Sequence, residues 1–166
     1  MATARAFTRP SMRFSFALPA LFLLMAPSRG IVAQSSARDS VVATVQRVFD
    51  LMRARDTVGM RELFDSTAHL TGVRDTATTT RSRTVSQFLA SVVATSADRP
   101  PDERMFDPDV RIDGAVAQLW SYYTFRSGTP FTHCGTDAAS LIRSGGRWKI
   151  VNFMWTVRTS SCTHVQ

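Results

Sequence analysis

The stretch that most constrains this chain runs from Ala115 to Arg158, AVAQLWSYYTFRSGTPFTHCGTDAASLIRSGGRWKIVNFMWTVR. Aromatic and β-branched residues alternate along it with small and polar ones. Two breaks interrupt it, Ser127-Gly128-Thr129-Pro130 and Ser144-Gly145-Gly146. Period-two alternation between glycine-bearing breaks predicts three consecutive long strands joined as hairpins. All three tryptophans, both tyrosines, His133 and Cys134 lie within it. Such a meander has a face to bury, so the upstream chain is expected to supply a cover.

That cover is legible as helices. Val41, Val42, Val45, Val48, Phe49 and Met52 form one apolar stripe at helical spacing, with Asp39 or Ser40 as the cap after a short polar lead, Gln34 to Arg38. Asp56 caps a second, shorter helix through Val58, Met60, Leu63 and Phe64. A turn and a short strand follow over Asp65 to Val73, then an exposed polar loop from Arg74 to Arg83. Thr84 and Gln87 match a capping box, and Val85, Phe88, Leu89, Val92 and Val93 continue it as a third helix. Ala97 to Pro108 reads as a charged connector, because Pro100 and Pro101 are incompatible with a helix interior. The sheet then begins at Val110 to Asp113, with Asp113-Gly114 as a tight turn. Helices followed by an antiparallel meander make an α+β fold.

The amino terminus has a different character. Arg5, Arg9 and Arg13 precede a 12-residue apolar run, Phe14 to Met25, which is short for a membrane-spanning helix. Small and apolar residues lead on to Ile31-Val32-Ala33. This is the layout of a signal peptide, with cleavage after Ala33 and export to the periplasm or medium, the alternative being a leader kept as an uncleaved membrane anchor. The remaining 133 residues, 34–166, suffice for one domain with its own core. Four of the 20 basic residues and none of the 13 acidic ones leave with the leader, so the net charge falls from +7 to +3. The remaining basic residues form no run that would track phosphates, which argues against nucleic-acid binding. After cleavage no segment calls for a membrane. Cys134 and Cys162, the only cysteines, are both in the exported portion, where an oxidising compartment favours a disulfide between them.

The order of elements resembles the nuclear-transport-factor-2-like, or SnoaL-like, superfamily. Ala117-Gln118-Leu119-Trp120-Ser121-Tyr122-Tyr123-Thr124-Phe125, His133-Cys134-Gly135-Thr136-Asp137 and Gly146-Arg147-Trp148-Lys149-Ile150-Val151-Asn152 are most similar to its exported, putative lumazine-binding group. The resemblance spans Asp39 to Cys162 and implies a cone-shaped barrel, with N-terminal helices packed on a curved, mostly antiparallel sheet. The scaffold hosts isomerases, dehydratases, cyclases, ligand carriers and interaction modules, so it implies no single reaction. Ketosteroid isomerase members place a tyrosine on the first helix, where this chain has Phe49 and Met52. No catalytic residue carries over from them.

The residues that could carry chemistry are His133, Asp137 and Trp155. His133 and Asp137, four apart on one strand, emerge on the same face. A hairpin turning at Gly145 sets His133 opposite Val157, Gly135 opposite Trp155 and Asp137 opposite Phe153, leaving a gap at Gly135 over which Trp155 could lie. An imidazole near a carboxylate can move a proton, and an aromatic wall can hold a flat ligand. Trp120, Tyr122, His133, Asp137 and Trp155 are therefore the candidate ligand contacts, with His133 and Asp137 the candidate acid–base pair. Both residues also have an ordinary structural role open to them, as hydrogen-bonded strand neighbours. A metal site would need His69 as third ligand, and none is expected. No phosphate loop, nucleophile elbow or other cofactor motif is present. The sequence thus points to a module for a small flat or apolar ligand, or one pairing with a second copy through its sheet. The alternatives are a small enzyme doing proton-transfer chemistry (isomerisation, dehydration or cyclisation) with His133 and Asp137, and a purely structural dimer with a filled cone.

Overall fold

The computed structural model describes residues 29–74 and 80–165. Within them, α1 (Arg29–Ala54), α2 (Thr57–Arg61) and α3 (Val85–Val93) accompany six strands: β1 (Phe64–Arg74), β2 (Arg81–Thr84), β3 (Pro101–Asp113), β4 (Val116–Ser127), β5 (Phe131–Ser144) and β6 (Arg147–Val157). The strands form one mixed sheet in the order β2-β1-β6-β5-β4-β3. Only β1 with β6 runs parallel. The sheet curls around the helices as a cone that does not close, leaving β2 and β3 as edges. The α+β cone is therefore observed.

The helical stripe does what its spacing predicts. Val41, Val45, Val48, Phe49 and Met52 of α1 are buried against Leu119 of β4, Ala139 and Leu141 of β5, and Ile150 and Phe153 of β6. Phe49 meets Phe153 edge-on, with ring centroids 6.3 Å apart. Truncating a buried phenylalanine such as Phe49 to alanine costs about 3–5 kcal/mol. The capping box of α3 is present in both directions, Gln87 N–H to Thr84 Oγ1 and Thr84 N–H to Gln87 Oε1. Asp56 caps α2 by accepting from the Gly59 N–H at 2.9 Å.

Several boundaries differ from the sequence reading. The first helix begins at Arg29 rather than at Asp39 or Ser40. No glycine or proline interrupts residues 31–54, and the Ser40 hydroxyl donates back to the Ala37 carbonyl at 2.8 Å, as a helix-interior serine does. The same hydroxyl accepts from Trp148 Nε1 at 3.0 Å, tying α1 to β6. The second helix stops at Arg61, and Phe64 opens β1 instead. Part of the expected exposed loop is β2, which pairs antiparallel with β1, while residues 75–79 lie outside the described residues. Of the expected signal peptide, residues 1–28 also lie outside them.

The largest correction concerns the charged connector. Residues from Pro101 onward are strand, and β3 is 13 residues long. Its prolines and charges are tolerated because it is an edge strand, where a missing N–H faces outward and charge deters further pairing. A bulge between Phe106 and Asp109 exchanges the residues facing the two sides. The odd-numbered Glu103 and Met105 pair beside Phe125 and Tyr123, whereas beyond the bulge the even-numbered Val110 and Ile112 pair beside Leu119 and Ala117.

The hairpin register also shifts. Gly145 and Gly146, with φ of 57° and 77°, form a two-residue loop between paired Ser144 and Arg147. Further along, Ser140 pairs with Asn152 while Leu141 pairs with Ile150, so Val151 is an extra residue. Loop and bulge together move the register by two. Asp137 therefore faces Trp155, and Phe153 faces Ala139.

Candidate functional site

Alternation along the meander sorts its side chains onto two faces. Leu119, Ser121 and Tyr123 of β4, and Gly135, Asp137 and Ala139 of β5, point into the cone. Inside the cone is a cavity of about 200 Å³. Its walls are mainly aromatic and apolar: Phe49 and Met52 from α1, Phe64 and Leu70 from β1, Phe88 from α3, Phe125 from β4, and Phe153 and Trp155 from β6. Its polar groups are Arg83, Ser91, Thr95, Glu103, Tyr123 and His133. A dry cavity of roughly 150 Å³ holds a benzene ring, so this one has room for a small flat molecule.

His133 reaches the cavity as expected. Its ring stacks on Phe125 at 4.7 Å and meets Tyr123 edge-on at 5.8 Å. Burial pushes its pKa down to about 4, with the nearby Arg74 adding to the effect, so the imidazole is neutral at physiological pH. Asp137 shares that face but does not reach the cavity wall; it is fully buried. Among the described residues neither of its oxygens receives a hydrogen bond from a donor group, and Ser121, directly opposite in the β4–β5 register, is buried with its hydroxyl equally unmatched.

Asp137 instead meets a residue that sequence reasoning missed. Glu103 reaches from β3 across β4, lines the cavity, and stands against Asp137, close enough for the two carboxyl groups to share a proton. Two carboxyl groups can bond only if one carries a proton, and two buried like charges would repel strongly. Burial pushes Glu103 up to about 7. Burial, then the charge and hydrogen bond of Glu103, raise Asp137 well above the ordinary carboxylate range. The pair therefore keeps a proton through neutral pH; because their contact raises Asp137 and lowers Glu103, that proton sits on Asp137, with Glu103 the accepting carboxyl that faces the cavity. The signal for Glu103 was the alternation Pro101, Glu103, Met105 against Asp102, Arg104, Phe106, which the prolines masked.

Tyr123, beside this pair, is buried and donates its hydroxyl to the Thr156 carbonyl at 2.7 Å. Burial and then the two carboxyl groups raise its pKa. Its ring explains Gly135: a Cβ there would lie 2.7 Å from the Tyr123 ring and 1.9 Å from the Thr156 carbonyl oxygen. The gap expected for Trp155 thus belongs to Tyr123. Trp155 lies over a different glycine, Gly72 of β1, whose added Cβ would stand 2.8 Å from the indole.

The other two aromatic candidates do not join the cavity. Trp120 is 62% exposed on the convex face. Tyr122 lies on that face too, and its hydroxyl donates to the Thr163 carbonyl at 3.0 Å while accepting from the Thr163 N–H at 2.8 Å. There the C-terminal tail is fastened rather than loose. Cys134 and Cys162 form the expected disulfide, with Cα atoms 5.8 Å apart, and His164 stacks on Phe106 at 4.3 Å. His69 is exposed, with Nδ1 2.8 Å from the Thr67 carbonyl. Among the described residues no three His, Cys, Asp or Glu side chains group as metal ligands, and no helix is long and apolar enough to cross a membrane.

The open cone with its helical cover is the nuclear-transport-factor-2-like, cystatin-like fold. A protein of that description from Novosphingobium aromaticivorans is 11% identical, with 80% of this chain and 89% of that chain covered at a TM-score of 0.64. One of unknown function from Shewanella baltica is 19% identical (76% and 97% covered, TM-score 0.59). A putative dehydratase from Streptomyces avermitilis is 13% identical (76% and 99% covered, TM-score 0.61). At such identities the likeness shows the fold alone. Residues 36–156 match the model of the putative lumazine-binding family, and the chain belongs to that family. No curated protein sequence matches the chain.

Proposed function

We propose that this protein is an exported module that binds a small, flat, largely apolar molecule in the cone, with Glu103 and His133 as its polar contacts. The observation that carries this reading is the aromatic cavity in whose wall His133 and Glu103, backed by the buried Asp137, supply polar groups. The aromatic walls supply affinity by removing apolar surface from water. Glu103 and the neutral imidazole supply hydrogen bonds that fix the ligand's orientation. Export is supported by the arginine-bearing start, the 12-residue apolar run and the disulfide. Native mass spectrometry of protein purified from its own host tests the reading. The expected result is a chain beginning at Gln34 that carries a retained small molecule, lost in a Glu103→Leu variant. A chain retaining Met1 in the soluble fraction would overturn export. Failure to retain or bind any flat aromatic compound would overturn the binding role.

One observation favours a second reading, a small enzyme performing isomerisation, dehydration or cyclisation. Glu103, titrating near 7, is poised to give or take a proton at physiological pH. The acid–base pair would then be Glu103 with Asp137, and His133 would be a neutral hydrogen-bonding partner. Turnover of a retained ligand with a pH profile breaking near 7, lost in Glu103→Gln, would favour the enzyme over the carrier. The convex face also offers a surface to a second copy: Trp120, Ala138 and Met154 form one cross-strand row, with Trp120 and Met154 exposed. Sedimentation of the wild type and of Trp120→Ser tests that pairing.

A further inference from the structure

Beyond the aromatic cavity lies a second hollow, and the two share the wall formed by Arg83, His133 and Trp155. The outer hollow is also lined by Arg74 and Arg81, and among the described residues it has no acidic lining residue. We propose that this hollow is the anion-binding mouth of the ligand site. The ligand's acidic group rests among Arg74, Arg81 and Arg83 while its flat body passes Trp155 into the cavity. The inference rests on the ligand-binding reading above and names the ligand class: a planar aromatic or unsaturated acid with one anionic end.

The register brings the three arginines together. Leu70 is buried in the cone, so Gly72 and Arg74, two and four residues on along β1, share its face. On β2, Arg83 pairs with Leu70 and Arg81 with Gly72, extending the same face. Trp155 pairs with Gly72 from the other side, and the missing side chain lets the indole lie against the β1 backbone, between cavity and mouth. Three cationic side chains from two strands therefore converge at the entrance.

Among the described residues none of the three forms an ion pair, and Arg83 donates only to the Ser91 hydroxyl, at 3.3 Å. Elsewhere arginines do find acids: Arg53 and Arg104 both pair with Asp102. The field of Arg74 is felt nearby, since it helps hold His133 unprotonated. Guanidinium groups match planar oxyanions bidentately, and like charges held close gain most from an arriving anion. The inner end has the opposite preference. Glu103 there disfavours an anion, so the field orients the ligand with its acid at the mouth.

A matched pair of probes tests this in the full chain: 2-naphthoate and its neutral counterpart 2-naphthamide, titrated calorimetrically at pH 7 in low salt. The acid should bind about tenfold more tightly, and raising the salt should erode the difference. Arg74 and Arg81 are exposed, so Arg74→Gln and Arg81→Gln leave the core intact. Each should weaken naphthoate about threefold while leaving naphthamide unchanged, and the double variant should abolish the preference. Equal binding of the two probes, or a preference that survives the double variant, would overturn the anionic mouth while leaving the cavity reading intact. Binding of neither probe would overturn both.

Discussion

The two faces of β4 and β5 make an instructive contrast. The same strands, alternating residue by residue, build a chemical surface inside the cone and a mechanical one outside it. Inside, Tyr123, His133 and Asp137 stand among aromatic rings, and burial shifts all three away from their ordinary titration ranges. Outside, Tyr122 and Cys134 hold the C-terminal tail by hydrogen bonds and a disulfide. Adjacent residues, Tyr122 with Tyr123 and His133 with Cys134, thus have unrelated jobs. A residue's role here follows its face rather than its place in the sequence.

The sharpest way to break the contrast is at Gly135, where the faces are thinnest. A methyl group there meets the Thr156 backbone carbonyl and the Tyr123 ring, so Gly135→Ala should cost about 4 kcal/mol, disrupting cavity and tail together. Urea denaturation measures it, and a loss below about 1 kcal/mol would show that the sheet yields easily there. Next comes the outer fastening. The bridge closes a separation of 28 residues, so replacing both cysteines by serine should cost about 3–4 kcal/mol. If the faces are functionally separate, ligand affinity at saturating folded fraction should not change.

A smaller effect sharpens the inner face. Glu103 has a folded pKa of about 7 against 4.5 when unfolded, so the folded state holds the extra proton between those values. Stability should therefore fall as pH rises from 4.5 to 7, by on the order of 2 kcal/mol, and Glu103→Gln should flatten that slope. His133 works in the opposite direction. Its folded pKa of about 4 lies below the unfolded 6.5, so its contribution is present above 6.5 and is lost as pH falls towards 4. His133→Asn should remove that acid-side loss alone. Denaturation of the two variants across pH separates the terms, and a pair of unchanged slopes would refute the buried-site electrostatics. The smallest effect belongs to Trp120, whose replacement by serine should alter monomer stability by no more than about 0.5 kcal/mol while changing any self-association.

Much of this architecture was legible because local patterns forced it. The stripe from Val41 to Met52 has no use except burial, the Thr84–Gln87 box marks its helix start, and the two glycine-bearing breaks divide the meander where it turns. The family resemblance read from the meander also holds. The disulfide followed from two cysteines alone. His133 and Asp137 share a face because strand alternation leaves no other outcome.

What only the tertiary structure decided are the relations that depend on counting across strands. One extra residue, Val151, together with the two-residue loop at Gly145-Gly146, moved Trp155 opposite Asp137, and no local propensity encodes such a slip. The curl of the sheet sent Trp120 and Tyr122 outward and brought Glu103, 34 positions before Asp137, against it. A carboxylate in a charged, proline-bearing segment looks solvated in sequence. It becomes a shared-proton partner only when a distant strand removes its water, because desolvation is a property of the assembled surroundings and not of the residue.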